Sequence, residues 1–224
     1  MIPTILYEDG EALVIDKRAG LPVDPPRAGG PSVEALLPTL RLGFARAPSI
    51  THRLDRDTSG CLLLARHPKA QRRFMAAFEG GRVEKAYLAI VHGLPEATGG
   101  VIDRPLAKVS TREAGWRIVV DRKGKPARTR WTMLAERDGH SLLLFQPDSG
   151  RTHQLRVHAA SGIGLPILGD PVYGKAGRTA ESAGLMLHAW RLTVPRDGKT
   201  PIAATAPFPD RFAAFGFTDP GDGG

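Results

Sequence analysis

Residues 61–65 read Cys-Leu-Leu-Leu-Ala, an unbroken apolar run of strand length. It is entered through Thr58-Ser59-Gly60 and left through Arg66-His67-Pro68. A run this short with no polar alternation predicts a strand covered on both faces. Covering it takes a sizeable core, and 224 residues are enough for one domain or a compact pair of subdomains.

The rest of the chain supplies more strands than helices. "ILYEDGEALVIDK" predicts two strands joined at Asp9-Gly10, the second through Leu13, Val14 and Ile15. After the Pro/Gly loop "LPVDPPRAGGP", Ser32 is placed to cap a helix carrying Val33, Leu36, Leu37 and Leu40. Pro68 opens a second helix with Phe74, Met75 and Phe78 inward, Lys69, Arg72 and Arg73 outward, and Gly80 at its C-terminus. "KAYLAIV", "RTRWTML", "HSLLLF" and "LMLHAWRLTV" read as strands, and "DRKGK" as a hairpin turn. "RTHQLRVHAASG" has a short helical pattern ending at Gly162. Residues 216–224 read as a frayed, disordered tail. The sum is an α+β fold with a mixed, mainly antiparallel central sheet and inserted helices and loops.

Charge narrows the function. The formal net charge is +8, which favours a polyanionic partner, RNA or DNA being the usual one. Between 104 and 130 stand nine basic side chains against Glu113 and Asp121. No apolar run is long enough to cross a membrane as a helix, no secretory signal is visible at the N-terminus, and no membrane partner is expected. The single cysteine, Cys61, excludes an internal disulfide, reads as a small core residue, and fits a cytoplasmic location.

Two segments concentrate chemistry. In "THRLDRDTSG", Asp55 lies between Arg53 and Arg56 just before the buried strand, where a sheet can hold a reactive carboxylate; the bland reading is a turn former. In "SGRTHQLRVHA", Arg151, His153, Gln154, Arg156 and His158 are too many polar groups for a routine amphipathic helix. One of these arginines can hold a distant carboxylate in bidentate geometry, or the segment can simply touch phosphate. His153 and His158 are five apart, a poor spacing for a shared metal on one helical face, and no metal is expected. Tyr87 is either a half-buried strand aromatic or a ring that stacks on a base, with Lys85 two residues earlier on the same strand face. "HRLD" superficially matches a kinase catalytic loop, but no phosphate loop or Asp-Phe-Gly follows, which excludes that class.

Taken together, "HRLDRDTSGCLLLAR", "EKAYLAIVHG", "PARTRWTML", "SGRTHQLRVHAASGIGLPILGDPVYG" and "LMLHAWRL", in that order, resemble the RluA family of RNA pseudouridine synthases from about Ile5 to Phe208. Two departures stand out: Arg18 replaces the proline of the usual Lys-Pro-Ala-Gly, and Cys61 replaces an aliphatic residue. The resemblance implies the pseudouridine synthase fold, with a cleft across the sheet, as a single catalytic domain over 1–224. It leaves no room for an added N-terminal RNA-binding module. It implies Asp55 as the catalytic aspartate, Arg156 as its pairing partner, and Tyr87 as a ring on the uracil with a part in proton transfer. It further implies Arg53 as the side chain that fills the space of a flipped base, and Leu187, or a close neighbour in "LMLHA", as the apolar wall. Lys85, Arg151 and His153 are the remaining substrate-binding positions. The reaction it implies needs no cofactor. The partner is structured RNA, ribosomal or transfer, met by a monomer. A non-catalytic RNA-binding or ribosome-assembly protein on the same scaffold is the alternative.

Overall fold

A computed structural model describes residues 2–111, 115–174 and 184–221. In chain order the elements are β1 (Ile5–Glu8), β2 (Ala12–Lys17), α1 (Val33–Leu36), β3 (Ser49–Ile50), β4 (Ser59–Ala65), α2 (Pro68–Glu79), β5 (Glu84–His92), β6 (Gly99–Asp103), β7 (Leu106–Thr111), β8 (Gly115–Val120), β9 (Arg128–Arg137), β10 (His140–Pro147), α3 (Gln154–His158), β11 (Leu187–Arg196), β12 (Lys199–Thr205) and α4 (Asp210–Ala213). The fold is α+β, with mainly antiparallel pairing and few, short helices, as the sequence predicts. The chain divides into two compact units, Met1–Lys85 with Ala189–Pro207, and Ala86–His188 with Phe208–Gly224.

In the first unit β4 is the middle element, and all seven of its residues are buried. It pairs antiparallel with β2, Ile15 opposite Leu62 and Lys17 opposite Gly60, while β12 pairs with β11. One face carries Val14, Cys61, Leu63, Leu192 and Val194, covered by the Ala70, Phe74 and Ala77 stripe of α2. Leu62 and Leu64, pointing the other way, are also fully buried. An apolar run covered on both faces is therefore what the structure contains. Cys61 sits in that core, where burial pushes its thiol up to about 12.

The local signals behave as their chemistry dictates, with two corrections. Ser32 Oγ accepts from Ala35 N at 3.1 Å and starts α1. Pro68 begins α2, and His67 Nδ1 caps it by accepting from Ala70 N at 3.2 Å. Met75 does not face inward: it is 41% exposed. The buried stripe runs at 70, 74 and 77, and the next residue along is turned about 100° away from it. "DRKGK" is not the tip of a paired hairpin either. Asp121 and Gly124 close a turn (Gly124 N to Asp121 O, 2.8 Å) that leads out of β8, whereas β7 and β8 are the paired strands. Glu113 lies outside the described residues.

In the second unit the strand order is β5-β10-β9-β6, antiparallel throughout, with Leu142 opposite Ile90 and Tyr87 opposite Phe145. The β7–β8 hairpin forms a separate two-stranded sheet. Its Leu106 and Ile118 pack with Ala127 and with Val157 of α3 in a small apolar cluster. At the C-terminus, Phe212 and Phe217 are buried, so the tail is packed at its start; residues 222–224 lie outside the described residues.

One glycine is dictated by the packing of the first unit. Gly60 has φ +106, and a Cβ there would lie 2.1 Å from the carbonyl oxygen of Ala189. Neither backbone can give way without opening the sheet. Gly60→Ala is expected to cost about 3 kcal/mol or more. A urea midpoint within error of the parent protein would show that the close approach does not constrain the fold.

Candidate active site

Asp55 is half-buried in a turn closed by Thr58 N to Asp55 O at 3.1 Å, immediately before β4. The turn is pinned from below. Lys17, the last residue of β2, is fully buried, and its ammonium donates to the carbonyls of Arg18, Leu21 and Arg56 at 3.0, 2.8 and 2.9 Å. The Arg56 carbonyl accepts a second bond, from Gly20 N at 3.0 Å. A buried charge demands such satisfaction, so the strand end and the turn are tied to each other. Sequence reasoning assigned Lys17 no role; its signal was a lysine closing an otherwise apolar strand.

The neighbours of Asp55 divide their work. Leu54 is buried. His52 Nε2 accepts from Leu63 N at 2.9 Å, and its ring stacks on Phe78 at 4.2 Å and 21°. Burial first, and then the charge of Lys85, push the His52 imidazole down to about 3, so it is neutral. Arg56 pairs with Asp57 (3.0 Å), and Arg53, exposed, pairs with Asp24 (2.8 Å). Lys85 is itself buried. Both flanking arginines thus have carboxylate partners of their own.

In the second unit the five residues of α3, Gln154–His158, are all buried. Arg156, 6% exposed, grips Asp170 through two bonds: Nε to Oδ2 and the terminal nitrogen to Oδ1, both 2.8 Å. Asp170 Oδ1 also accepts from Val172 N (2.8 Å) and Tyr173 N (3.0 Å). Burial alone pushes the Asp170 carboxyl up; the Arg156 guanidinium and these two amides outweigh it and hold it below the usual range. Gly169 precedes it with φ +73, where a Cβ would lie 1.9 Å from the carbonyl of Gly184. Asp170 was missed because it carries no charge pattern in the sequence; the Gly-Asp-Pro-Val-Tyr-Gly string was its one signal.

The other polar residues of the segment form a satisfied network. Gln154 Oε1 accepts from Ser149 Oγ (2.7 Å) and Arg151 N (3.0 Å), and its Nε2 donates to Arg128 O and Thr129 Oγ1 (both 3.0 Å). His158 Nε2 donates to the Arg104 carbonyl at 3.0 Å, which leaves Nδ1 to accept from Thr129 Oγ1 at 2.9 Å. With both ring nitrogens engaged, His158 is a structural residue. Among the described residues no cluster of three or more metal-ligating side chains occurs. His153, left-handed at φ 53, bonds through Nδ1 to Tyr173 Oη at 2.9 Å. Arg151 is exposed and donates to Pro126 O at 3.1 Å. Tyr87 is half-buried on β5, and Leu187 is buried at the start of β11, its carbonyl accepting from Arg211 at 3.2 Å.

This scaffold of Asp55 turn and Arg156 segment coincides with a known family. The family model described as RNA pseudouridylate synthase matches residues 11–161. A relative from Zymomonas mobilis, named an uncharacterized RNA pseudouridine synthase, is 55% identical over 95% of this chain and 97% of its own length. The chain belongs to the RNA pseudouridylate synthase family. It is an RNA-modifying isomerase of the RluA group, in agreement with its motifs. The ribosomal large subunit pseudouridine synthase D of Nitrosomonas europaea is 37% identical over 94% of this chain, which spans 63% of that relative. The solved structure of human RNA pseudouridylate synthase domain containing 1 is 29% identical, with TM-score 0.79, covering 93% of this chain and 84% of that one. No described helix of the synthase is long and apolar enough to cross a membrane.

The half-buried His52 gives the synthase a pH signature. The unfolded chain binds its proton below about 6.5, the folded chain only near about 3. In that window the unfolded state carries more protons, so stability is complete above 6.5 and falls as pH drops toward 3. Asp9, whose backbone and Arg196 hydrogen bonds outweigh burial and hold it at about 2, adds the same sign lower down. Urea midpoints of His52→Gln, which keeps an acceptor for Leu63 N, should depend less on pH across this window than those of the parent. Parallel slopes would assign the dependence to carboxylates alone.

Proposed function

We propose that this synthase isomerises particular uridines of structured RNA, ribosomal or transfer, with Asp55 as the catalytic carboxylate. The observation that carries the reading is the Asp55 turn, which combines the His-Arg-Leu-Asp signature with a backbone held by the buried ammonium of Lys17. A carboxylate on a pinned turn loses little freedom when substrate arrives, and pre-organisation of this kind lowers barriers. The isomerisation breaks the bond between N1 and C1′, turns the uracil, and rejoins it through C5; the C5 proton leaves and N1 gains one. A carboxylate can add to C1′ or take the proton of C2′ to give a glycal. The rearrangement is internal and redox-neutral, so it calls for neither metal nor cofactor.

Arg156 is the proposed cationic partner of Asp55. Its plane is already fixed by Asp170, which suits a guanidinium that must orient a second group. Tyr87 stacks on the uracil and takes part in proton transfer, Leu187 walls the apolar side, and Lys85, Arg151 and His153 bind the substrate. Arg104, Lys108, Arg117, Lys125, Arg128 and Arg130 are all exposed and are suited to phosphate contacts. The name of the Nitrosomonas relative favours a large-subunit ribosomal RNA. We take the protein to act as a monomer in the cytoplasm, with the whole chain serving one catalytic domain. No observation favours the non-catalytic alternative.

Asp55→Asn should abolish pseudouridine formation in RNA from a strain lacking the protein, while affinity for that RNA changes little. Turnover at the parent rate would remove Asp55 from the chemistry. Arg53 is held by one exposed ion pair, worth about 0–1 kcal/mol, and is easily released into the space of a flipped base. Arg53→Ala should therefore slow modification of structured RNA more than of a single-stranded mimic, and equal losses on both would exclude the wedge role.

A further inference from the structure

Of the three tryptophans, Trp131 and Trp190 are 8% and 1% exposed, whereas Trp116 on β8 is 49% exposed. An indole in that position offers an aromatic surface to which a planar ligand can stack. The ring is held firmly. Its centroid lies 5.2 Å from that of His153, at 33°. His153 is bonded to Tyr173 Oη, and the same oxygen accepts from Ile118 N at 3.0 Å, two residues along the strand from Trp116. Strand, imidazole and phenol thus close a loop that fixes the platform. The amino group of Lys108 lies 5.0 Å from the indole centroid, at the end of a flexible stem. Arg117 and Arg104 stand exposed nearby in the chain, and no acidic residue occurs among the described positions of β7 and β8.

We propose that Trp116 is a nucleobase-stacking site for a nucleotide of the RNA substrate other than the isomerised uridine, with Lys108 as its phosphate partner. The inference rests on the RNA-modifying reading above. Every base has a π-face, and a fixed, half-exposed indole flanked by cations has the chemistry of a single-strand stacking platform. Lys108 swings off the ring when a base arrives, and its ammonium then meets the adjoining phosphate. The platform also touches the proposed catalytic machinery: Tyr173 contacts His153 at 5.6 Å, and the Arg156 guanidinium lies 5.3 Å from the Tyr173 ring.

The test is intrinsic fluorescence with Asp55→Asn protein and a short single-stranded oligouridylate. Binding should quench Trp116 emission saturably, and an abasic oligomer of equal length should bind without that quenching. Trp116→Ala should weaken binding by roughly tenfold or more, the loss expected for one stacked base, and Trp116→Phe should recover most of it. Circular dichroism of each variant separates this from misfolding. Equal affinity of Trp116→Ala and its parent, or equal quenching by the abasic oligomer, would overturn the proposal and leave the indole to a protein partner. Because the readout is binding, it stands apart from the assay of Asp55: loss of the catalytic assignment would leave stacking intact, and the reverse.

Discussion

A buried ammonium organises the turn that carries Asp55. Lys17 closes a strand whose other residues are almost all interior, so its charge cannot reach water and must be met by protein oxygens. Three carbonyls meet it, and one of them belongs to the residue after Asp55. The cost of leaving any of these groups unpaired is what keeps the turn in place. β2 is in turn held by β4, the fully buried strand, through a register that sets Lys17 opposite Gly60. Core packing and turn geometry are therefore one connected problem in the first unit.

The second unit solves a parallel problem with opposite charge. Arg156 is drawn into the interior, where its guanidinium is stable because Asp170 and two backbone amides complete the electrostatics. Removing a partner from such a pair strands a charge at low dielectric, so the pair enforces geometry more than it adds stability. From Arg156 the contacts run outward through Tyr173 and His153 to Trp116, from a buried ion pair to a solvent-facing ring. The same side chains thus serve interior order at one end and meet a solvent-facing ring at the other.

Much of this was legible in the chain. The Cys-Leu-Leu-Leu-Ala run required cover on both faces, and has it; Ser32 and Pro68 start the helices expected of them; the motif series identified the family. Met75 was misread because three apolar residues within five positions do not specify which of them the stripe includes. The "DRKGK" turn was misread because turn chemistry marks a reversal without saying which strands it joins. Lys17, Asp170 and the capping His67 went unnoticed, since each acts on groups that are distant in sequence or on backbone atoms that no side-chain pattern displays.

Sequence alone determined the reaction class, the strand-rich fold and the positive surface, because side-chain chemistry and period are carried by the residues themselves. Tertiary structure decided that Arg156 is clasped by Asp170, that Arg56 lends its carbonyl to Lys17, and that one tryptophan of three faces solvent. These outcomes depend on which backbone and side-chain groups arrive within hydrogen-bond reach after folding. Distances across the fold are set by packing, and no local spacing encodes them.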